Sequence, residues 1–209
     1  MRRLATLLLA GVAALVVIAF AIGNPVAWVQ AGLIMWDIAA GGGHTIWQDV
    51  TAAPDEKPVK WKDGEGDLYR PAGQVRGAMV LVPGADVLGR DEPRLKALAR
   101  TFGRAGFAVL VPELPEVRRL RLSRADAERH ALLAHAKVVQ RGCHALGVAA
   151  VSYAVAPAII AVLQEDLAPR VGFVVGIGGY RDAESVIRFV TTGSFRPRGD
   201  SRAAETSLW

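Results

Sequence analysis

Four short uncharged apolar runs, at residues 78–82, 107–111, 148–151 and 171–175, are separated by segments of helical pattern. Continuous apolar runs of this length, without polar alternation, are what strands buried on both faces require. Strands of that kind alternating with helices argue for a mostly parallel sheet covered by helices on both faces, joined by right-handed crossovers. The first intervening helix is marked by Asp91 as its cap, Pro93 in its first turn, and Leu95, Leu98, Ala99 and Phe102 on one face. Gly103 and Gly106 end it. A second helix is expected from the capping pattern of Ser123 and Asp126 to about residue 140. A third follows Ser152 to about residue 165, and a last one covers 183–190 after Asp182. Residues 60–70, with Gly64 and Gly66, suit a hairpin that opens the sheet. No internal repeat is visible. In sheets of this kind ligands bind at the C-terminal ends of the strands.

Ahead of this α/β pattern the chain is of another character. Arg2 and Arg3 precede an uncharged apolar run at residues 4–22, long enough for about one bilayer crossing. The flanking charges favour a cytoplasmic N-terminus, hence a single-pass membrane anchor with the domain outside the cytoplasm. A cleaved secretory signal, cut after Ala19-Phe20-Ala21, is the competing reading. Asn24 and Pro25 break the run. Residues 26–40 are again apolar but carry Trp28, Trp36, Gln30 and Asp37, which suits a helix lying at a membrane interface; a helix packed on the soluble domain is the alternative. Residues 47–62, with Pro54 and Pro58, read as a linker leading to an edge strand, and His44 as a surface residue. The expected organisation is therefore 1–23 anchor or signal, 24–58 interfacial helix and linker, 59–194 α/β domain and 195–209 irregular tail.

Composition excludes several classes. The net charge of +5 over 209 residues is not gathered into a basic stripe with interleaved aromatics, so nucleic acid is not an expected partner. Anionic lipid headgroups are a second possible use of that charge. The single cysteine, Cys143, allows no internal disulfide. His130 and His135 are five apart and point to different helix faces, and no other spacing resembles a metal site, so neither metal nor cofactor is expected. Gly84 to Asp91 has the glycine spacing of a phosphate loop but Arg90-Asp91 where Lys and Ser/Thr are needed. Gly176-Ile177-Gly178 begins like a dinucleotide fingerprint but meets Arg181 at the third glycine and lies on a late strand. Nucleotide binding is not supported.

The stretch Gly147 to Ile160 carries the candidate chemistry. A short apolar strand runs into Ser152, which sits between Ala150 and Ala154, and a helix of small residues follows. A serine between small neighbours at a strand-to-helix turn is what a nucleophile elbow needs, although both glycines of Gly-x-Ser-x-Gly are alanines here. Helix capping by Ser152 is the simpler reading of the window alone. One strand-helix unit before the next strand, and two before Ser152, the run Val82-Pro83-Gly84-Ala85-Asp86 is where a loop donating N–H groups to an oxyanion belongs. The backbone positions that would donate are Ala85 and Tyr153.

On these residues the chain resembles the α/β-hydrolase superfamily, most closely bacterial dienelactone-hydrolase-like or esterase-like proteins with an N-terminal membrane segment. The resemblance covers about residues 67–193 and rests on Asp67-Leu-Tyr-Arg-Pro-Ala72, Val80-Leu-Val-Pro-Gly84, the segment 105–115, the Ser152 turn and Gly178-Gly-Tyr180. It implies Ser152 as nucleophile, an acyl-enzyme, and a small-molecule ester, lactone or related acyl substrate. The third marker departs from the family's Asp-Leu-Pro-Gly at Glu113 to Glu116, and the oxyanion strand ends Pro83-Gly84 where the family often has His-Gly. The resemblance also implies an acid and a histidine after the serine. Here His44, His130, His135 and His144 all precede Ser152, and Asp166 and Asp182 follow it without a histidine. The last fifteen residues have no strand pattern, so the chain reads as an incomplete α/β-hydrolase fold. Two readings stand: a membrane-anchored serine hydrolase, or a non-catalytic remnant or interaction module of that fold.

Overall fold

The computed structural model describes residues 24–62, 64–118, 146–179, 194–195 and 206–207. The expected anchor at 4–22, the helix at 123–140 with His130 and His135, and Cys143, His144, Asp182 and the helix at 183–190 lie outside the described residues. Among the described residues no helix is long and apolar enough to cross a membrane.

Helix α1 (Pro25–Ala39) opens the described chain, its first turn closed by Asn24, whose side chain accepts from the Val26 N–H. A short helix α2 (Ile46–Val50) follows. The strands are β1 (Asp55–Trp61), β2 (Gly64–Arg70), β3 (Gly77–Val82), β4 (Phe107–Pro112), β5 (Leu146–Val151) and β6 (Val171–Ile177). Helix α3 (Pro93–Arg104) joins β3 to β4, α4 (Pro115–Arg118) follows β4, and α5 (Val155–Val162) lies between β5 and β6. The six strands form one mixed sheet in the order β1-β2-β4-β3-β5-β6. The β1–β2 hairpin and the β2–β4 pair are antiparallel; β4, β3, β5 and β6 run parallel.

The period-two geometry of β3 explains its lack of polar alternation. Ala78, Val80 and Val82 face a core completed by α5 residues Ala158, Ala161 and Val162. Met79 and Leu81 face the opposite core, with Leu95 and Ala99 of α3. Both faces are dry, so both sets must be apolar. Burying a side chain such as Leu81 in this way stabilises the fold by roughly 1.5–3 kcal/mol. Glycine is needed where strand and neighbour approach too closely for a Cβ. On Gly147 of β5 a Cβ would stand 2.3 Å from the Phe173 ring of β6.

Several local expectations differ from what is found. The cap of α3 is Glu92, whose carboxylate accepts from the Leu95 N–H; Asp91 belongs to a 3₁₀ turn (Gly89–Asp91) and pairs with Lys96 at 2.7 Å. Both acids suit a helix start, and the position of Pro93 as first helical residue decided between them. Residues 47–62, expected as linker, contain most of α2, with Trp47 buried, and all of β1, of which only the last two residues fall in the expected hairpin at 60–70. His44 is exposed, as expected of a surface residue, and pairs with Asp49 at 3.0 Å. The tail is not without strand: β7 (Ser194–Phe195) pairs antiparallel with β8 (Thr206–Ser207).

Candidate active site

Strand β5 ends at Val151, still extended, and the chain reverses in one residue. Ser152 has φ +51°, and among the described residues it is the sole non-glycine at positive φ. An L-residue in that region is sterically strained and persists only where surrounding packing imposes it. A 3₁₀ turn (Ser152–Ala154) leads from it into α5. The packing that imposes the turn is visible on both sides. Ala150 pairs with Val82 and Gly176 inside the sheet, and Ala154 is fully buried beneath the turn. Val155 lies so close to β6 that a Cβ on Gly176 would meet it at 3.0 Å. Larger residues at 150, 154 or 176 would have no room, while the Ser152 side chain is left exposed.

The loop after β3 lies directly against this turn. A Cβ on Gly84 would stand 3.1 Å from the Val151 carbonyl oxygen and 3.5 Å from Ser152 Cβ. The Asp86 N–H donates to the Gly84 carbonyl at 2.9 Å, closing a three-residue turn with Ala85 at its apex. Among the described residues the Ala85 N–H has no acceptor. The loop and the turn share a cleft of about 410 Å³, into which Ala85, Asp86 and Ser152 all open. Its walls are apolar where Leu95 and Leu98 of α3 and Ile177 of β6 contribute, and charged at Glu92 and Arg94. The structure thus brings Ser152 and Ala85 to one cleft at the C-terminal ends of the parallel strands. Tyr153 follows Ser152 in the 3₁₀ turn, its side chain against the α5-side core.

Arg90 is the residue that sequence reasoning missed. Three carboxylates surround its guanidinium: Glu65 at 3.2 Å, Asp67 at 3.8 Å and Glu113 at 3.4 Å. Glu65 and Asp67 lie on β2, and Glu113 follows β4, so Arg90 ties the loop after β3 to two other segments. Burial pushes the Asp67 carboxyl above its usual range, against the pull of Arg90. No local signal could have found this, because the three partners are more than twenty residues away in sequence. Arg90 and Asp91, which stand where a phosphate loop needs Lys and Ser/Thr, are engaged in ion pairs instead, Arg90 with Glu65, Asp67 and Glu113 and Asp91 with Lys96.

Among the described residues no group of three or more His, Cys, Asp or Glu could hold a metal ion, and His44, on the loop between α1 and α2, does not line the cleft. The carboxylates that line the cleft are already engaged: Asp86 accepts from the Leu88 N–H and Glu92 from the Leu95 N–H.

No protein-family model matches the sequence, and no curated protein matches it. Among solved structures, the neighbours are hydrolases. A dienelactone hydrolase from Anabaena variabilis is similar at 21% identity and TM-score 0.48, over 64% of this chain and 67% of that one. A dienelactone hydrolase-like promiscuous phosphotriesterase from metagenomic libraries is similar at 16% identity and TM-score 0.46, over 61% of this chain and 60% of that one. Brefeldin A esterase, a bacterial homologue of human hormone-sensitive lipase, is similar at 16% identity and TM-score 0.45. It is matched over 66% of this chain and 45% of its own.

Proposed function

We propose that this chain carries the nucleophile and oxyanion half of an α/β-hydrolase site, with Ser152 as the nucleophile toward a small ester, lactone or related acyl compound. The observation that carries the reading is the Ser152 backbone at φ +51°, strained at the head of a strand-to-helix turn and facing a cleft. A capping serine needs no such conformation, since a cap residue is ordinarily extended. In the proposed reaction the Ser152 hydroxyl oxygen bonds to the acyl carbon while its proton passes to a base. The carbonyl oxygen takes up the negative charge beside the N–H groups of Ala85 and Tyr153; as the C=O bond re-forms, the bond to the alcohol oxygen breaks, that oxygen takes the proton back from the base, and the acyl-serine left behind is hydrolysed by water.

The second reading, a non-catalytic domain of the same fold, is favoured by one specific feature. Among the described residues the cleft has no imidazole, and its carboxylates are held by backbone N–H groups. A serine hydroxyl without a base is a weak nucleophile at neutral pH. The reading therefore includes slow chemistry for this chain as it stands. The test is labelling of the purified chain with a fluorophosphonate probe beside Ser152→Ala. Slow labelling lost in the alanine variant supports the nucleophile. Equal labelling of both, or none after prolonged exposure, supports the non-catalytic domain.

Residues 4–22 are proposed to remain as an anchor with the domain outside the cytoplasm. A C-terminal reporter active only in the cytoplasm would contradict that orientation, and a mature N-terminus near residue 22 would contradict the retained anchor.

A further inference from the structure

Helix α1 has fifteen residues and one charge, and that charge points inward. Asp37 is 5% exposed, and its carboxylate accepts hydrogen bonds from the hydroxyls of Thr45 and Thr101 and from the Gln48 amide. Thr101 is on α3, sixty-four residues away, so this node locks α1 to the α/β domain. Arg104 of α3 adds to the lock by donating to the Gln48 and Thr51 carbonyls around α2.

The outer face is the reverse of what a water-facing helix shows. Trp28 is 68% exposed, Met35 64% and Trp36 52%, with Val29 exposed beside them. Helix α2, in contact with α1, adds exposed Ile46 and Val50. A solvated surface helix places charged and polar residues on that face. An exposed apolar surface of this extent marks an interaction site.

We propose that this face lies on the surface of a lipid bilayer and that the Asp37 node fixes the pose in which it does so. Three features select lipid over a protein partner. Tryptophan is the residue that sits at the headgroup level, its ring apolar and its N–H wet, and two of the outward residues are Trp. The exposed face of α1 carries no charge that a protein partner could complement, and Gln30 is the only strongly polar side chain of α1 besides Asp37; on α2 the exposed Asp49 carboxylate is paired with His44. The uncharged apolar run at residues 4–22 ends two residues before Asn24, which starts α1. The step from residue 22 to Pro25 spans at most about 10 Å, so α1 begins no farther than that from the end of the run. A helix in such a position sinks its apolar face about 5–10 Å into the headgroup and acyl boundary.

The experiment uses the full chain in a Cys143→Ser background, reconstituted in phosphatidylcholine–phosphatidylglycerol vesicles. A bimane label is placed by Val29→Cys, Met35→Cys, Leu33→Cys or, as an aqueous control on the hairpin, Lys60→Cys. The expected result is quenching of labels 29 and 35 by doxyl lipid and shielding from iodide by about threefold relative to label 60, as a face at that depth requires. Label 33, on the half-buried side, stays less lipid-quenched than 29. Iodide access at 29 and 35 equal to that at 60 overturns the proposal. So does excimer formation by pyrene at position 29, which would make a second copy the occupant. With Asp37→Ala the contrast between 29 and 33 is expected to fade; an unchanged contrast overturns the role given to Asp37.

Discussion

Gly84 and Ser152 meet across the tops of neighbouring strands β3 and β5: the Cβ that Gly84 lacks would stand 3.5 Å from the Cβ of Ser152. The Val151 carbonyl oxygen is closer still, at 3.1 Å. An alanine methyl therefore asks for a shift of a few tenths of an ångström, and a branched side chain asks for more. Gly84→Val is expected to cost about 1–3 kcal/mol through overpacking and to slow fluorophosphonate labelling at least tenfold, whereas Gly84→Ala retains most of both. Urea unfolding and labelling rates measured on the same preparations check this. A valine variant that labels normally would mean that the loop does not need to touch the turn.

Strain at Ser152 makes a second expectation. Ser152→Gly and Ser152→Ala both remove the hydroxyl, but only glycine accepts φ +51° without a Cβ penalty. The glycine variant is expected to be the more stable by about 1 kcal/mol, within the range typical of a strained left-handed residue. Chemical denaturation of the two variants reads the difference directly. An alanine variant of equal or greater stability would show that the turn is relaxed.

The buried Asp37 gives a pH dependence whose sign is determined. Burial raises its pKa, but the bonds from Thr101, Thr45 and Gln48, with the Arg104 charge, outweigh burial and leave it below 3.8. A carboxyl lowered on folding contributes stability that is complete above its unfolded pKa and lost as pH falls through the folded value. Asp37→Ala, which leaves the buried Thr45 hydroxyl without its acceptor while Thr101 keeps the Ala97 carbonyl, is expected to cost about 1–3 kcal/mol at pH 7. The gap to the unsubstituted chain should narrow below pH 3.8. Urea midpoints from pH 7 to pH 2.5 test it, and a gap independent of pH would contradict a charged Asp37.

Removing Arg90 leaves Glu65, Asp67 and Glu113 facing one another. Arg90→Met is expected to cost about 1–2 kcal/mol, because the cluster is partly solvated. It should also raise the Asp67 pKa further and loosen the Gly84–Ala85 loop. Asp67 is already raised by burial, so its contribution is greatest below its unfolded pKa and is lost as pH rises through the folded one. The cost of Arg90→Met should therefore be larger at pH 7 than at pH 4. Faster amide exchange at residues 84–86 is the local readout, and unchanged exchange there would separate Arg90 from the loop.

Among the described residues the sheet ends in β1 on one side and β6 on the other, and the two are treated differently. Strand β1 carries Asp55, Glu56, Lys57, Pro58 and Lys60, the residues that keep an edge from pairing with another chain. Strand β6 has no charge from Val171 to Ile177, and Phe173, Val174 and Val175 are exposed. Val174→Lys is expected to reduce concentration-dependent association, as an edge lysine does. Light scattering across a dilution series measures it; no change would mean that the β6 edge is not the point of association.

Much of the sheet was legible from residues alone. Runs such as Met79-Val80-Leu81 are apolar at every position, and only a strand dry on both faces demands that. Small residues at 150 and 154 mark a tight turn at Ser152 in the sequence itself, because local sterics write themselves into adjacent positions. The cap of α3 was misread by one residue, since Asp91 and Glu92 offer the same carboxylate and only the path of the chain chooses between them. Sequence by itself thus determined the four parallel strands, the apolar face of α3 and the sharp turn at Ser152. Tertiary structure alone decided that Gly84 lies against Ser152, that Arg90 gathers Glu65, Asp67 and Glu113, and that Asp37 turns inward to Thr101 and leaves Trp28 and Trp36 outside. Those are contacts between residues dozens of positions apart, and their energies depend on burial and distance, which exist only once the sheet has brought the segments together.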